Sequence, residues 1–101
     1  MVKLVATLRQ PVKPEDFQRW LLEVHAPVGR KMPGLRRYVL SPSVGGVAGV
    51  QTYDGIAELW FDSVQDLEKA LQSPEGQEAM RDVMSNVKEV SLVITEERVV
   101  V

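Results

Sequence analysis

Cysteine is absent from the 101 residues of this chain, and histidine occurs once, at position 25. Without a thiol there is no disulfide framework, no thiolate metal centre and no cysteine nucleophile. A single imidazole excludes the His-rich zinc and non-haem iron sites, and no spaced carboxylate cluster stands in for them, so neither a metal nor a cofactor is expected. Charge of one sign is also lacking, since 12 Lys and Arg against 14 Asp and Glu leave a formal charge of -2. Phosphate binding needs a basic stripe, so nucleic acid is not the expected partner. The densest basic group, Arg30, Lys31, Arg36 and Arg37, is interrupted by Pro33-Gly34 and reads as a solvated turn. No run approaches the length of a membrane span. The apolar stretch 1–9 is interrupted by charge and too short for a signal core, which makes the cytosol the expected address.

What the chain does have is the composition of an average globule, with 45% hydrophobic and 26% charged residues. That supports a single domain over residues 1–101 with one modest core. Residues 2–9 alternate and are rich in Val and Leu, reading as a first strand that stops at Gln10-Pro11. Pro14-Glu15-Asp16 opens a helix, proline suiting the first turn and the acids its positive end. Phe17, Trp20, Leu21, Val24 and Val28 recur at helical spacing as its apolar stripe. Pro27 cannot donate to the Glu23 carbonyl, so a kink or tightening is expected there.

Residues 35–41 read as a second strand, 42–53 as a loop holding Gly45, Gly46 and Gly49, and 54–62 as a third strand. The glycine loop lacks the lysine and the strand-to-helix setting of a phosphate cradle and reads as a lid or hairpin connection. Ser63 with Asp66 three residues on caps a helix carrying Val64, Leu67, Ala70 and Leu71, which Ser73-Pro74 ends. A further helix over 74–86 places Met80, Val83, Met84 and Val87 on one face, and 89–101 form a long last strand. The order strand, helix, strand, strand, helix, strand is the α+β, ferredoxin-like βαββαβ arrangement with a four-stranded antiparallel sheet. The last strand is apolar on both alternating sets, Val90, Leu92 and Ile94 against Val93 and Val99, and needs a second covering layer. A second copy packed sheet to sheet supplies it, so a homodimer is expected.

Trp20 followed by His25 and Pro27, the run 31–38 (Lys-Met-Pro-Gly-Leu-Arg-Arg-Tyr), the run 53–63 (Tyr-Asp-Gly-Ile-Ala-Glu-Leu-Trp-Phe-Asp-Ser), Ser73-Pro74 and Asp82 together resemble the EthD family. The resemblance spans nearly the whole chain. It implies a dimeric α+β barrel in which two sheets close on each other and each subunit keeps a pocket between its own sheet and helices. Relatives in that superfamily include aromatic-compound isomerases, cyclases and dehydratases of polyketide-like substrates, and cofactor-free monooxygenases. The namesake is linked to ether-degradation gene clusters.

His25 is the leading candidate for chemistry. At about 100° per residue it lies roughly 80° from Phe17 and about 40° from Leu21, at the margin of the stripe. An imidazole there reaches a pocket between helix and sheet and can act as acid or base near neutral pH. The competing reading is a ring that caps the turn or faces water. From its marginal position, His25→Ala is expected to abolish activity and to change stability by no more than about 1 kcal/mol. Glu58, among Ala57, Leu59, Trp60 and Phe61, must be paired or have a raised pKa. It is either an acid, base or orienting partner of His25, or an ion pair with Arg36, Arg37 or Arg9, or a dimer contact. Asp82 matches an acidic position of the family, yet lies roughly 200° from Met80, so it turns inward only if the helix over 74–86 is broken. Trp20, Tyr38, Trp60 and Phe61 are the candidate substrate-binding aromatics, suited to a planar apolar ligand. Core packing explains Trp20 and Phe61 equally well, and strand parity separates Trp60 from Phe61.

The expected function is therefore a small cofactor-independent enzyme moving a proton on an apolar cyclic or aromatic carbonyl or phenol compound, of isomerase, dehydratase, cyclase or monooxygenase type. The alternative is a non-catalytic small-molecule-binding or assembly module of the same fold. A haem-binding barrel ranks last, because a subunit of this size offers little room.

Overall fold

A computed structural model describes residues 1–51 and 53–101. Its strands are β1 (Val2–Pro11), β2 (Arg37–Pro42), β3 (Gly55–Phe61) and β4 (Val87–Glu96). Helical segment α1 covers residues 14–29, and helices α2 (Val64–Gln72) and α3 (Pro74–Asn86) follow. The strands form one antiparallel sheet in the order β2-β3-β1-β4, the ferredoxin-like topology expected from the order of elements.

Side-chain alternation divides the sheet into two different faces. Leu4, Ala6 and Leu8 of β1 and Ala57, Leu59 and Phe61 of β3 point to the helices, with Phe17, Trp20, Leu21, Leu67, Ala70, Ala79 and Val83 packed on them. Phe61, Leu8, Leu21 and Leu67 are fully buried, each contributing about 1.5–3 kcal/mol through removal from water. Among the described residues no layer covers the opposite face. Across it run the rows Val39, Glu58, Val5, Val93 and Arg37, Trp60, Lys3, Thr95.

The helix signals act where the sequence puts them. Ser63 accepts a hydrogen bond from the Asp66 backbone N–H at 3.1 Å and starts α2. Ser73 joins two helices: its hydroxyl donates to the Ala70 carbonyl at 2.6 Å and accepts from the Gly76 N–H at 3.0 Å. Gly76 is required there, because a Cβ at that position would lie 2.0 Å from the Ala70 carbonyl oxygen.

Several expectations need correction. The third strand is one residue shorter at each end than expected, and the second runs over 37–42 rather than 35–41. β4 ends at Glu96, leaving Val99 outside the sheet and 87% exposed, so the second apolar set is weaker than the sequence implied. Met84 is 66% exposed because the buried stripe of α3 is Gly76, Ala79 and Val83 instead of a Met-centred one. Val24 is 41% exposed and does not belong to the stripe of α1. Of the two readings of the glycine loop, lid or hairpin connection, the second agrees with its place between β2 and β3, where the Ser43 N–H donates to the Asp54 carbonyl at 2.9 Å. Thr52, within the loop expected over 42–53, lies outside the described residues.

Candidate functional site

Segment α1 is not one uniform helix. A 3₁₀ turn (Pro14–Asp16) leads into an α-helical turn (Phe17–Arg19), then a π-helical stretch (Trp20–His25), then α-helix again (Ala26–Gly29). The π stretch ends two residues before Pro27, which has no N–H to offer and whose ring crowds the carbonyl four residues back. The Ala26 N–H reaches back five residues to the Leu21 carbonyl, so the chain holds one extra residue per hydrogen-bonded turn. The consequence is rotational. Trp20 and His25 would lie about 140° apart on a regular α-helix, but the wider turn brings them to one face. Their rings stack at 5.0 Å between centroids and 30° between planes. The same rotation turns Val24 outward and sinks His25 to 5% exposure. The histidine is therefore inside the core boundary and not at the stripe's margin.

Asp82 meets it from α3. The Asp82 carboxylate accepts from His25 Nδ1 at 2.8 Å through Oδ2, and from Trp20 Nε1 at 3.3 Å through Oδ1. Asn86, one turn later, donates to Oδ1 at 3.3 Å and to the Asp82 carbonyl at 2.8 Å. An ionised carboxylate only accepts, which places a proton on Nδ1 and leaves Nε2 as the nitrogen available for chemistry. The helix over 74–86 is continuous, contrary to the condition set for an inward Asp82. The angle was measured from Met80, whereas the buried stripe is centred on Ala79 and Val83. Asp82 is only about 60° from Ala79 on the wheel, on the flank that α1 covers.

His25 lines a cavity of about 50 Å³ between the sheet and the helices, with Leu4, Leu59, Met32, Tyr38, Met80 and Val83 among its walls. Tyr38 reaches it from β2, paired with Leu59. Burial, and secondarily the Asp82 charge, push its phenol up to about 12, so it stays protonated at neutral pH. Its ring end lies against α1 at Gly29, where a Cβ would come within 2.5 Å of the hydroxyl oxygen.

The remaining candidates separate by strand parity. Glu58 points to the open face, away from His25, and pairs with Lys3 Nζ at 2.7 Å. Its neighbour across β1 is thus a lysine, not one of the arginines expected. Trp60 is on that same open face, 5% exposed beneath Lys3 and Arg37, whose charged ends lie 5.0 and 4.7 Å from its ring. Its indole N–H donates to Glu97 at 2.7 Å. Phe61 faces the helices as core, one row beyond Leu59 and outside the cavity wall. Trp20 backs His25 without lining the cavity. Asn86 and Gly29 were not singled out from sequence. The spacing of four from Asp82 to Asn86 on one helix, and from His25 to Gly29, was the available signal. Among the described residues no group of three His, Asp or Glu side chains is arranged to hold a metal ion, and no helix is long and apolar enough to cross a membrane.

Residues 9–86 match the model of the EthD domain. The chain is similar to an EthD-family protein of solved structure from Bacillus halodurans, 33% identical, with a TM-score of 0.87 and covering 97% of this chain and 99% of that one. It is also similar to an uncharacterized 11.0 kDa protein in the thcB-thcC intergenic region of Rhodococcus erythropolis, 25% identical over 83 residues, 82% of this chain and 81% of that protein. A dimeric ferredoxin-like protein from Thermobifida fusca shares the fold at a TM-score of 0.73 and 17% identity, over 93% of this chain and 88% of that one.

Proposed function

We propose, from the premise that the chain belongs to the EthD family, that it is a small homodimeric enzyme which moves a proton on an apolar cyclic or aromatic carbonyl or phenol compound without a cofactor. His25 is its acid and base. The observation that carries this reading is an imidazole of 5% exposure that lines an apolar cavity and has Nδ1 held by Asp82 at 2.8 Å. That bond fixes ring orientation and tautomer. Trp20 stacks on the ring and Asn86 holds the carboxylate, so both are positioning residues.

The cavity volume of about 50 Å³ is smaller than a six-membered ring needs. Leu71 and Met80 at its border are only partly buried, and a thioether side chain changes rotamer easily. Entry of a ring therefore requires displacement of Met80. The same small volume favours a second reading, a non-catalytic binding or assembly module in which the His25–Asp82 pair is structural. The homodimer closes over the open sheet face, where Val5, Val39 and Ile56 are already half-buried and Val93 is 51% exposed. The Thermobifida protein of the same fold is dimeric, which supports a dimer here.

The test is ¹H NMR of α-proton exchange in D₂O, with a panel of cyclic ketones and phenols and the protein at fixed concentration. Exchange above the buffer rate that disappears in His25→Gln supports catalysis. A folded wild-type protein that accelerates none of the panel, or a His25→Gln protein with full exchange, removes it in favour of the binding module. His25→Ala is a poorer control than its sequence position suggested, because the ring is buried, stacked and hydrogen-bonded, and its loss costs about 2–3 kcal/mol.

A further inference from the structure

Of the side chains lining the His25 cavity, only His25 and Tyr38 carry a nitrogen or oxygen atom; the others are hydrocarbon or thioether. A substrate bound there therefore has two polar groups to answer. Asp82 is taken up by Trp20, His25 and Asn86, and no hydrogen bond to the Tyr38 hydroxyl forms among the described residues. The hydroxyl oxygen is not sealed off in the core, so it is open to a ligand or to water at the cavity wall. Gly29 adds an independent observation. Glycine is among the least favourable residues in a helix, yet here it stands one turn after His25, where any side chain would drive the Tyr38 ring away: a Cβ would meet Oη at 2.5 Å, Cζ at 2.8 Å and Cε2 at 2.9 Å. The absence of a side chain at 29 seats the phenol against the same helix that carries the base.

Resting on the reading above, we propose that Tyr38 is a second catalytic group of this site, that Gly29 positions it, and that the substrate class is an enolisable ketone or enone whose carbonyl oxygen accepts the Tyr38 O–H. His25 Nε2 takes the proton from the carbon next to the carbonyl. The C–H electron pair becomes the new carbon–carbon π bond, and the carbonyl π pair moves onto oxygen, where Tyr38 stabilises the enolate. Nε2–H then returns the proton to the same carbon or to a conjugated one. Atoms and electrons balance with no co-reactant, so the net outcome is exchange or isomerisation.

The experiment uses cyclopent-2-enone, ¹³C-labelled at the carbonyl, as probe. Infrared spectra of the bound probe report the hydrogen bond to oxygen, and NMR in D₂O reports exchange. Wild type is expected to shift the carbonyl band to lower frequency. Tyr38→Phe and Gly29→Ala lose that shift and slow exchange about 100-fold or more, the typical loss for one oxyanion donor. A merely structural Gly29 would not move the band in Gly29→Ala protein whose circular dichroism is unchanged. His25→Gln keeps the shift and loses exchange. An unshifted band in wild type, an equal shift in Tyr38→Phe, or no binding of the enone overturns the proposal. Retained exchange in His25→Gln alongside a shift lost in Tyr38→Phe overturns the His25 mechanism and leaves the Tyr38 assignment standing.

Discussion

Asp82 accepts hydrogen bonds from three side chains of two helices, and replacing it by Ala tests whether the site is held together at that point. In Asp82→Ala the Nδ1–H of His25 has no acceptor in a position of 5% exposure, a loss of about 1–3 kcal/mol for a buried donor. The Trp20 bond, at 3.3 Å, is long and adds less, about 0.5–1 kcal/mol. Against this, the Asp82 side chain is 20% exposed, so water can enter and recover part of the cost. The balance is about 2–3 kcal/mol, a substantial share of the roughly 5–15 kcal/mol that keeps a domain folded. For a chain of this length it corresponds to a fall in Tm of about 10–20 °C. Asp82→Asn is intermediate, about 1–2 kcal/mol: its carbonyl can still accept from His25, but its NH₂ then faces the Trp20 and Asn86 donors. Urea unfolding followed by far-ultraviolet circular dichroism measures both, at one protein concentration because the apparent stability of an associating protein depends on it. Asp82→Ala within about 0.5 kcal/mol of wild type at unchanged m would show that the three contacts contribute nothing, and the positioning argument would fail with it.

Three further outcomes are expected. Because the Tyr38 phenol ionises at about 12 in the folded protein against 10.0 ordinarily, the native state holds more protons than the unfolded one in that window. Stability therefore falls from about pH 10 to about pH 12, by on the order of 2 kcal/mol, and Tyr38→Phe flattens that segment of the profile; an unchanged profile contradicts the burial argument. Gly76→Ala forces a Cβ to 2.0 Å from the Ala70 carbonyl oxygen, a backbone clash costing about 3 kcal/mol or more, and a chemical denaturation midpoint equal to wild type would disprove it. Val93→Asp puts a charge into the open sheet face at a position paired with Val5 and converts the dimer to monomer in sedimentation equilibrium; a wild-type protein already at one-subunit mass refutes the dimer itself.

The sheet and two of its helices were legible because their signals are local. Ser63 with Asp66, and Ser73-Pro74, need only backbone within three residues to act, and they set the bounds of α2 and α3. Alternation in residues 2–9 and 55–61 gave β1 and β3 their two faces, so the separation of Glu58 and Trp60 from Leu59 and Phe61 followed from parity alone. What Glu58 pairs with depended on register. Lys3 and Glu58 lie diagonally on one face of β1 and β3, since Lys3 aligns with Trp60 and Val5 with Glu58. No single strand shows that relation, and three arginines of equal charge competed for the same assignment.

For the candidate site, the sequence offered residues and not the geometry that brings some of them together. His25, Asp82, Trp20 and Tyr38 were named, but a uniform angle of about 100° per residue put His25 at an edge and turned Asp82 away. Both errors come from treating a helix as an isolated regular cylinder. In α1 the proline two residues after the histidine breaks the regular ladder, and the π stretch over Trp20–His25 adds the rotation that buries the ring. In α3 the wheel is regular, and the missing quantity is which flank faces a second helix. A residue about 60° from Ala79 can look outward from the sheet and still be enclosed, because α1 covers that side. One physical statement links the two: where α1 and α3 meet, polar side chains are accepted in the core because Trp20, His25, Asp82 and Asn86 satisfy one another. Without the π turn Asp82 keeps the Asn86 bond and loses those of Trp20 and His25, and without Asp82 both rings of the π turn lose their acceptor. Pro27→Ala restores an N–H for the Glu23 carbonyl but leaves these bonds in place, so the Trp20–His25 stacking is expected to persist; loss of the Trp20 near-ultraviolet circular dichroism signal in the variant would show that the proline alone holds the π turn.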